Sequence, residues 1–159
     1  MAIDDFPEIL KLNQSALPQV NPVDMDALRW FERKAAYFRV AEADGHLVGF
    51  LIAAAHDSGY ASKYFGWFCD RYDRFIYVDR VIVTESARGK RVAWRLFEDV
   101  EHVASQRAYP LTSDVYSRPP NQISLSFHDK YGFQRVGSQQ VDDGAKEVAK
   151  FLKKTSPTS

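Results

Sequence analysis

The sequence has a single cysteine, Cys69, no net charge and no long apolar run. One thiol excludes an internal disulfide framework and cysteine-cluster zinc sites, and it suits a reducing compartment. His46, His56, His102 and His128 are scattered without His-x-x-x-His spacing, so no protein-held metal is expected. Twenty-one Lys and Arg balance twenty-one Asp and Glu. Affinity for nucleic acid or an anionic membrane surface needs a cationic excess, so neither partner is expected. The longest apolar stretch, residues 47–55, is about half of the ~18 residues a membrane-spanning helix requires. The first six residues, Met-Ala-Ile-Asp-Asp-Phe, are acidic and lack the basic-then-apolar order of a secretory signal. Together these absences describe a cytoplasmic chain.

What is present fits one globular domain. The 159 residues are 45% hydrophobic and 26% charged, and a chain of this size buries roughly two-thirds of the surface its unfolded form exposes. No linker divides the chain, so residues 1–152 are expected to form one domain, followed by a polar tail over 153–159. Apolar residues at helical spacing predict helices over 5–17, 24–36, 88–107 and 121–131, with Asp24 as an N-cap for the second and Gly132 as the left-handed stop of the last. Strands are predicted over 38–43, 46–55, 75–84, 111–116 and 133–138. Asp44-Gly45 forms a tight hairpin between the first two. Residues 147–153 suit a strand or a helix. In the 75–84 strand, alternation puts Phe75, Tyr77, Asp79, Val81 and Val83 on one face and Ile76, Val78, Arg80 and Ile82 on the other. This order gives a mixed α/β fold with a recurring strand, crossover helix and strand.

The chemically informative passage is residues 81–93, a strand followed by a short basic loop that runs into the longest helix. The first amides of a helix lack internal acceptors and carry the positive end of its dipole, so a diphosphate can lie against them. Arg88, Lys90 and Arg91 would add charge, and Gly89 would permit close backbone approach. A plain solvated basic loop is the alternative reading of this passage.

This pattern resembles the GNAT superfamily of acyl-CoA N-acyltransferases. The family signature is Arg or Gln, two residues, Gly, one residue, then Gly or Ala. Here Arg88, Gly89-Lys90, Arg91, Val92 and Ala93 occupy those positions, with Arg91 in place of the central glycine. A second motif, Asn near the start of the next helix and Gly-Phe after its end, appears as Asn121 and Gly132-Phe133. The resemblance spans residues 5–152, with the family's first strand missing or shortened. It implies a mixed, mostly antiparallel central sheet with flanking helices and a strand, anion loop and helix that bind coenzyme A. It further implies that Val81, Ile82 and Val83 offer their backbone to the pantetheine arm. Gly89, Lys90, Arg91, Val92, Ala93 and Trp94 would hold the pyrophosphate, and Asn121 would reach the coenzyme. For Asn121, a purely capping role is as good a reading.

In the implied reaction, an amine attacks the thioester of acetyl-CoA and coenzyme A departs as a thiolate. One group must take a proton from the ammonium and another must supply one to sulfur. The family's usual acid is a tyrosine four residues before the glycine of Gly-Phe, a position held here by His128. Histidine titrates near neutrality, which suits acid chemistry. Tyr131 and Tyr116 are the other donors, and a solvated His128 without a proton role is an equal alternative. Asp114, which precedes a valine in its strand, and Asp79 are the candidate bases. Asp79-Arg80 reads equally as a structural ion pair.

Eight of the twenty-two aromatics fall between Tyr60 and Tyr77. They read as a wall of the acceptor pocket, a packed loop or a homodimer contact, and Cys69 beside them reads as a small buried filler. The expected activity is acetyl transfer from acetyl-CoA to the primary amine of a small-molecule or amino-acid-like acceptor. The alternative is a noncatalytic acyl-CoA-binding sensor or scaffold.

Overall fold

A computed structural model describes residues 5–17, 20–88 and 91–156. Helices α1 (Phe6–Ser15) and α2 (Met25–Lys34) open the chain. The Asp24 carboxylate caps α2 by accepting from the Ala27 amide at 2.8 Å, as its position predicted. Strands β1 (Tyr37–Ala43) and β2 (His46–Ala55) pair antiparallel around Asp44 and Gly45, both at positive φ. There follow α3 (Lys63–Cys69), β3 (Ile76–Val83), α4 (Val92–Gln106), β4 (Leu111–Arg118), α5 (Gln122–Tyr131), β5 (Gln134–Val141) and β6 (Lys146–Lys153). The six strands form one sheet in the order β1-β2-β3-β4-β6-β5. Only β3 and β4 run parallel, so the sheet is mixed and mostly antiparallel, as expected.

Both faces of the sheet are covered. On one, Val78, Leu51, Val115 and Phe151 pack with Leu96, Phe97 and Val100 of α4 and Tyr131 of α5. On the other, Phe50, Ile52 and Ile82 meet Phe6, Ile9, Leu28 and Phe31 of α1 and α2. A further cluster joins Phe65 and Phe68 of α3 to Phe75, Tyr77 and Ala54.

Several expectations change. Residues 147–153, left open between helix and strand, belong to β6. It runs through Lys153, which pairs with Glu101 of α4, and the Thr155 hydroxyl donates to the Tyr109 carbonyl. Residues 157–159 of the predicted tail lie outside the described residues. The aromatic segment, for which no helix is predicted, contains α3. Ser62 caps α3 by accepting from the Tyr64 and Phe65 amides. Aromatic and glycine residues have modest helix propensity, so burial against the sheet, not local preference, stabilises this short helix. Cys69 at its end is exposed, not a buried filler.

The alternation read into β3 also fails partway. Ile52 of β2 faces Arg80 and Ala53 faces Val78, which leaves Asp79 as an unpaired bulge. One extra residue moves every later side chain to the opposite face. Thus Arg80 and Ile82 join Tyr77 on the α1–α3 side, while Val81 joins Ile76 and Val78 beneath α4.

Candidate active site

β3 and β4 are hydrogen-bonded only from Ile76–Val78 to Leu111–Ser113. β3 then continues to Val83 and β4 to Arg118 without pairing to each other. The two strands open into a V whose inner edges are not paired to each other, although the Tyr116 carbonyl accepts from the Asn121 amide at 3.0 Å; such parted edges suit an extended ligand that pairs as a strand. A cleft partly open to solvent occupies this V. Val81, Ser113, Asp114, Val115, Tyr116, Asn121 and His128 line it, together with Asn21 from the α1–α2 connection and Tyr64 from α3.

Alternation along β4 divides the cleft. Asp114 and Tyr116 point towards α3, where the Asp114 carboxylate accepts from the Tyr77 hydroxyl at 3.0 Å and from Lys150 Nζ at 2.9 Å. Lys150 is fully buried, donates also to the Tyr64 carbonyl, and lies over the rings of Tyr64, Trp67 and Phe68. Burial raises the Asp114 carboxyl above its ordinary range, against the pull of Lys150 and Tyr77. Burial likewise lowers the Lys150 ammonium, against the attraction of Asp114. The Tyr116 hydroxyl donates to Asn21 Oδ1 at 3.2 Å and lies 3.0 Å from that of Tyr64, which donates to it in turn. Burial, reinforced by Tyr64, raises the Tyr116 phenol, so the proton is present at any physiological pH.

Asp79, at the bulge, accepts from the Tyr60 hydroxyl at 2.6 Å and from Arg80 Nε at 2.6 Å. Arg80 continues to Asn13 Oδ1 and the Asn21 carbonyl, both at 2.9 Å. The ion pair ties the α1–α2 connection to the floor of the cleft.

The other wall of the cleft carries His128. Its Nδ1 lies 2.8 Å from the Ser124 carbonyl and its Nε2 lies 2.9 Å from Ser113 Oγ. A carbonyl only accepts, so Nδ1 bears the proton and Nε2 accepts from the Ser113 hydroxyl. The ring is 3% exposed, and burial lowers its pKa from 6.5 to about 4. His128 is therefore neutral at pH 7, with no proton on the nitrogen that faces Ser113. Tyr131 is absent from the lining: its hydroxyl donates to Glu101 at 2.6 Å, and its ring packs against Trp94 and Phe97.

At the head of α4 a short 3₁₀ turn, Glu85–Ala87, precedes Arg88. The helix starts at Val92, later than predicted, because Arg91 adopts a left-handed conformation (φ 62°, ψ 25°) that a continuous helix cannot contain. The Arg91 side chain does not cap α4 and the first turn holds no acidic residue, an arrangement that suits an anion at the initial amides. Arg88 is exposed, and Arg91 sits 5.1 Å from the Trp94 ring centroid. Gly89 and Lys90 of the predicted anion loop lie outside the described residues. Asn121 caps α5, its Oδ1 accepting from the Ser124 amide at 3.4 Å, and also lines the cleft.

The sequence model of the acetyltransferase (GNAT) family matches residues 6–133. The chain belongs to the GNAT acetyltransferase family. Its reaction class is therefore acyl-CoA-dependent N-acetyl transfer, and acetyl-CoA is the co-substrate typical of this family. No curated protein sequence matches the chain significantly. Among solved structures, Naa20 from Chaetomium thermophilum in complex with a bisubstrate analogue superposes with a TM-score of 0.77 at 16% identity, covering 98% of this chain and 84% of that one. An N-acetyltransferase from Staphylococcus aureus Mu50 gives 0.71 at 21% identity, covering 97% and 94%. A ribosomal-protein-alanine N-acetyltransferase from Brucella melitensis gives 0.72 at 19% identity, covering 97% and 96%. These likenesses establish the GNAT fold.

The position at which GNAT sequences carry their central glycine is here the left-handed Arg91, so an arginine holds a backbone conformation that glycine adopts at no steric cost. Sequence reasoning missed Ser113 and Lys150. Neither lies in a motif, and both gain their partners from residues distant along the chain. Among the described residues no helix is long and apolar enough to cross a membrane, and no cluster of His, Cys, Asp and Glu could hold a metal.

Proposed function

We propose that this GNAT protein transfers the acetyl group of acetyl-CoA to the primary amine of a small-molecule or amino-acid-like acceptor, by direct attack within the β3–β4 cleft. The observation that carries this reading is the parting of β3 from β4 beyond Val78 and Ser113. Pantetheine lies in the V as a surrogate strand along Val81, Ile82 and Val83, and the diphosphate rests on the initial amides of α4 beside Arg88 and Arg91. Asn121 approaches the coenzyme from the head of α5.

The amine enters from the α1–α3 side, where Asn21, Tyr64, Asp114 and Tyr116 offer polar groups. Asp114 is the proton acceptor, since burial makes its carboxylate more basic than an exposed one. Asp79 serves the site by holding Arg80 and Tyr60. The neutral amine attacks the carbonyl carbon, the carbon–sulfur bond breaks, and the thiolate takes a proton from the Tyr116 hydroxyl. The proton shed by the new amide nitrogen returns through water to the Tyr64–Tyr116 pair, while Asp114 releases the ammonium proton to solvent. Tyr64 stands behind Tyr116 to replace it. His128 is not the donor in this scheme, because its Nε2 accepts from Ser113.

Thiol release from acetyl-CoA across a panel of amines, amino acids and short peptides tests this function. The Tyr116→Phe variant should lose about 10²-fold in kcat, the lower end for a positioned acid. Arg88→Glu should raise KM for acetyl-CoA and leave kcat nearly unchanged. Turnover confined to peptides with a free N-terminus would overturn the small-acceptor part of the proposal, and an unchanged KM in Arg88→Glu would overturn the diphosphate placement.

A further inference from the structure

Direct attack by an amine makes no use of the Ser113–His128 pair. Yet its geometry is that of an activated nucleophile: a hydroxyl 2.9 Å from an unprotonated imidazole nitrogen, with the other ring nitrogen fixed by an acceptor at 2.8 Å. The ring cannot turn away, because Phe97, Phe127, Phe133 and Phe151 enclose it at centroid distances of 4.8–5.9 Å. Ser113 is the last residue of β4 paired to β3, so it stands at the vertex of the V. Both residues line the cleft.

We infer that Ser113, activated by His128, is a second nucleophile of the cleft, which takes the acetyl group from the thioester and passes it to water when no amine is present. The inference rests on the placement of acetyl-CoA proposed above. In the first step Ser113 Oγ bonds to the carbonyl carbon while its proton moves to His128 Nε2. The carbon–sulfur bond then breaks, and the departing thiolate takes that proton, leaving an acetyl ester on Ser113. In the second step water attacks the ester carbonyl and gives a proton to Nε2. The carbon–Oγ bond breaks, and Oγ recovers the proton. The sum is acetyl thioester plus water to acetic acid plus thiol, without an external oxidant or metal. His128 is oriented by a neutral backbone carbonyl and not by a carboxylate, so nothing negatively charged stabilises the transient imidazolium. Hydrolysis is accordingly slow beside amine transfer.

The test uses the full chain with two acyl donors in the absence of amine. p-Nitrophenyl acetate reads the serine–histidine pair without any need for the coenzyme site, and acetyl-CoA reads the pair and the site together. Wild type should hydrolyse both, and acid-quenched protein should carry one acetyl group on the peptide that contains Ser113. Ser113→Ala and His128→Asn should each lower both rates by at least ~10-fold. Ser113→Cys should restore the covalent adduct, which a merely structural role for the hydroxyl would not do. Equal p-nitrophenyl acetate hydrolysis by wild type and Ser113→Ala would overturn the inference whatever the coenzyme does. Loss of that activity in Ser113→Ala, together with no acetyl-CoA hydrolysis by wild type, would overturn it through the placement of the thioester instead. Circular dichroism and melting of each variant identify any that fail to fold, in which case Ser113→Cys alone decides.

Discussion

His128 should make this protein acid-sensitive by an amount that can be isolated. Its pKa falls from 6.5 in the unfolded chain to about 4 in the fold, because the charged ring would lose its hydration among phenylalanines. Between these values the unfolded chain binds a proton that the native state refuses, so stability rises with pH. The contribution is fully present above the unfolded pKa and is lost progressively as pH falls through the folded one. Over the whole interval it amounts to roughly 3 kcal/mol, and between about pH 7.5 and about pH 4.5 to about 2.5 kcal/mol. Urea unfolding of wild type and His128→Gln at both pH values measures it. Other titrations occur in both proteins and cancel in the difference. With a typical urea slope, wild type should lose about 1 M more in midpoint than the variant over this interval. His128→Gln will be less stable at neutral pH, since Ser113 loses its partner, but that offset does not affect the comparison. Equal pH dependence in the two proteins would refute the burial argument.

Lys150→Met should cost about 3–5 kcal/mol, because it strands the Asp114 carboxylate in the interior with only the Tyr77 hydroxyl as partner. Adding Asp114→Asn should recover part of that loss, and strict additivity of the two changes in urea unfolding would refute the pairing. Arg91→Gly and Arg91→Ala remove the same side chain, but only glycine relieves the positive φ. The glycine variant should be the more stable by about 1 kcal/mol, and an alanine variant of equal or greater stability would refute the left-handed conformation. Gly49→Ala should cost about 1–3 kcal/mol, since an added Cβ would stand 2.9 Å from the Ile82 carbonyl oxygen of the adjoining strand. An unchanged melting temperature would refute that close approach.

Much of the fold follows from short-range pattern. The Asp24 cap, the Asp44-Gly45 hairpin, the left-handed stop at Gly132 and the helical stripe through Val92, Leu96 and Val100 depend on neighbours a few residues away, which is the range over which dihedral preference and periodicity act. Tertiary structure decided the rest. The bulge at Asp79 is set by how β3 registers against β2, and it turned Arg80 towards Asn13 and away from the face that alternation assigned it. Packing against Phe75 and Tyr77 made a helix of the aromatic segment. Lys150 and Asp114 stand 36 residues apart in the chain, and Ser113 and His128 fifteen apart. Burial and partner choice, which fix the charge and proton positions of these side chains, exist only once distant strands and helices have closed around them.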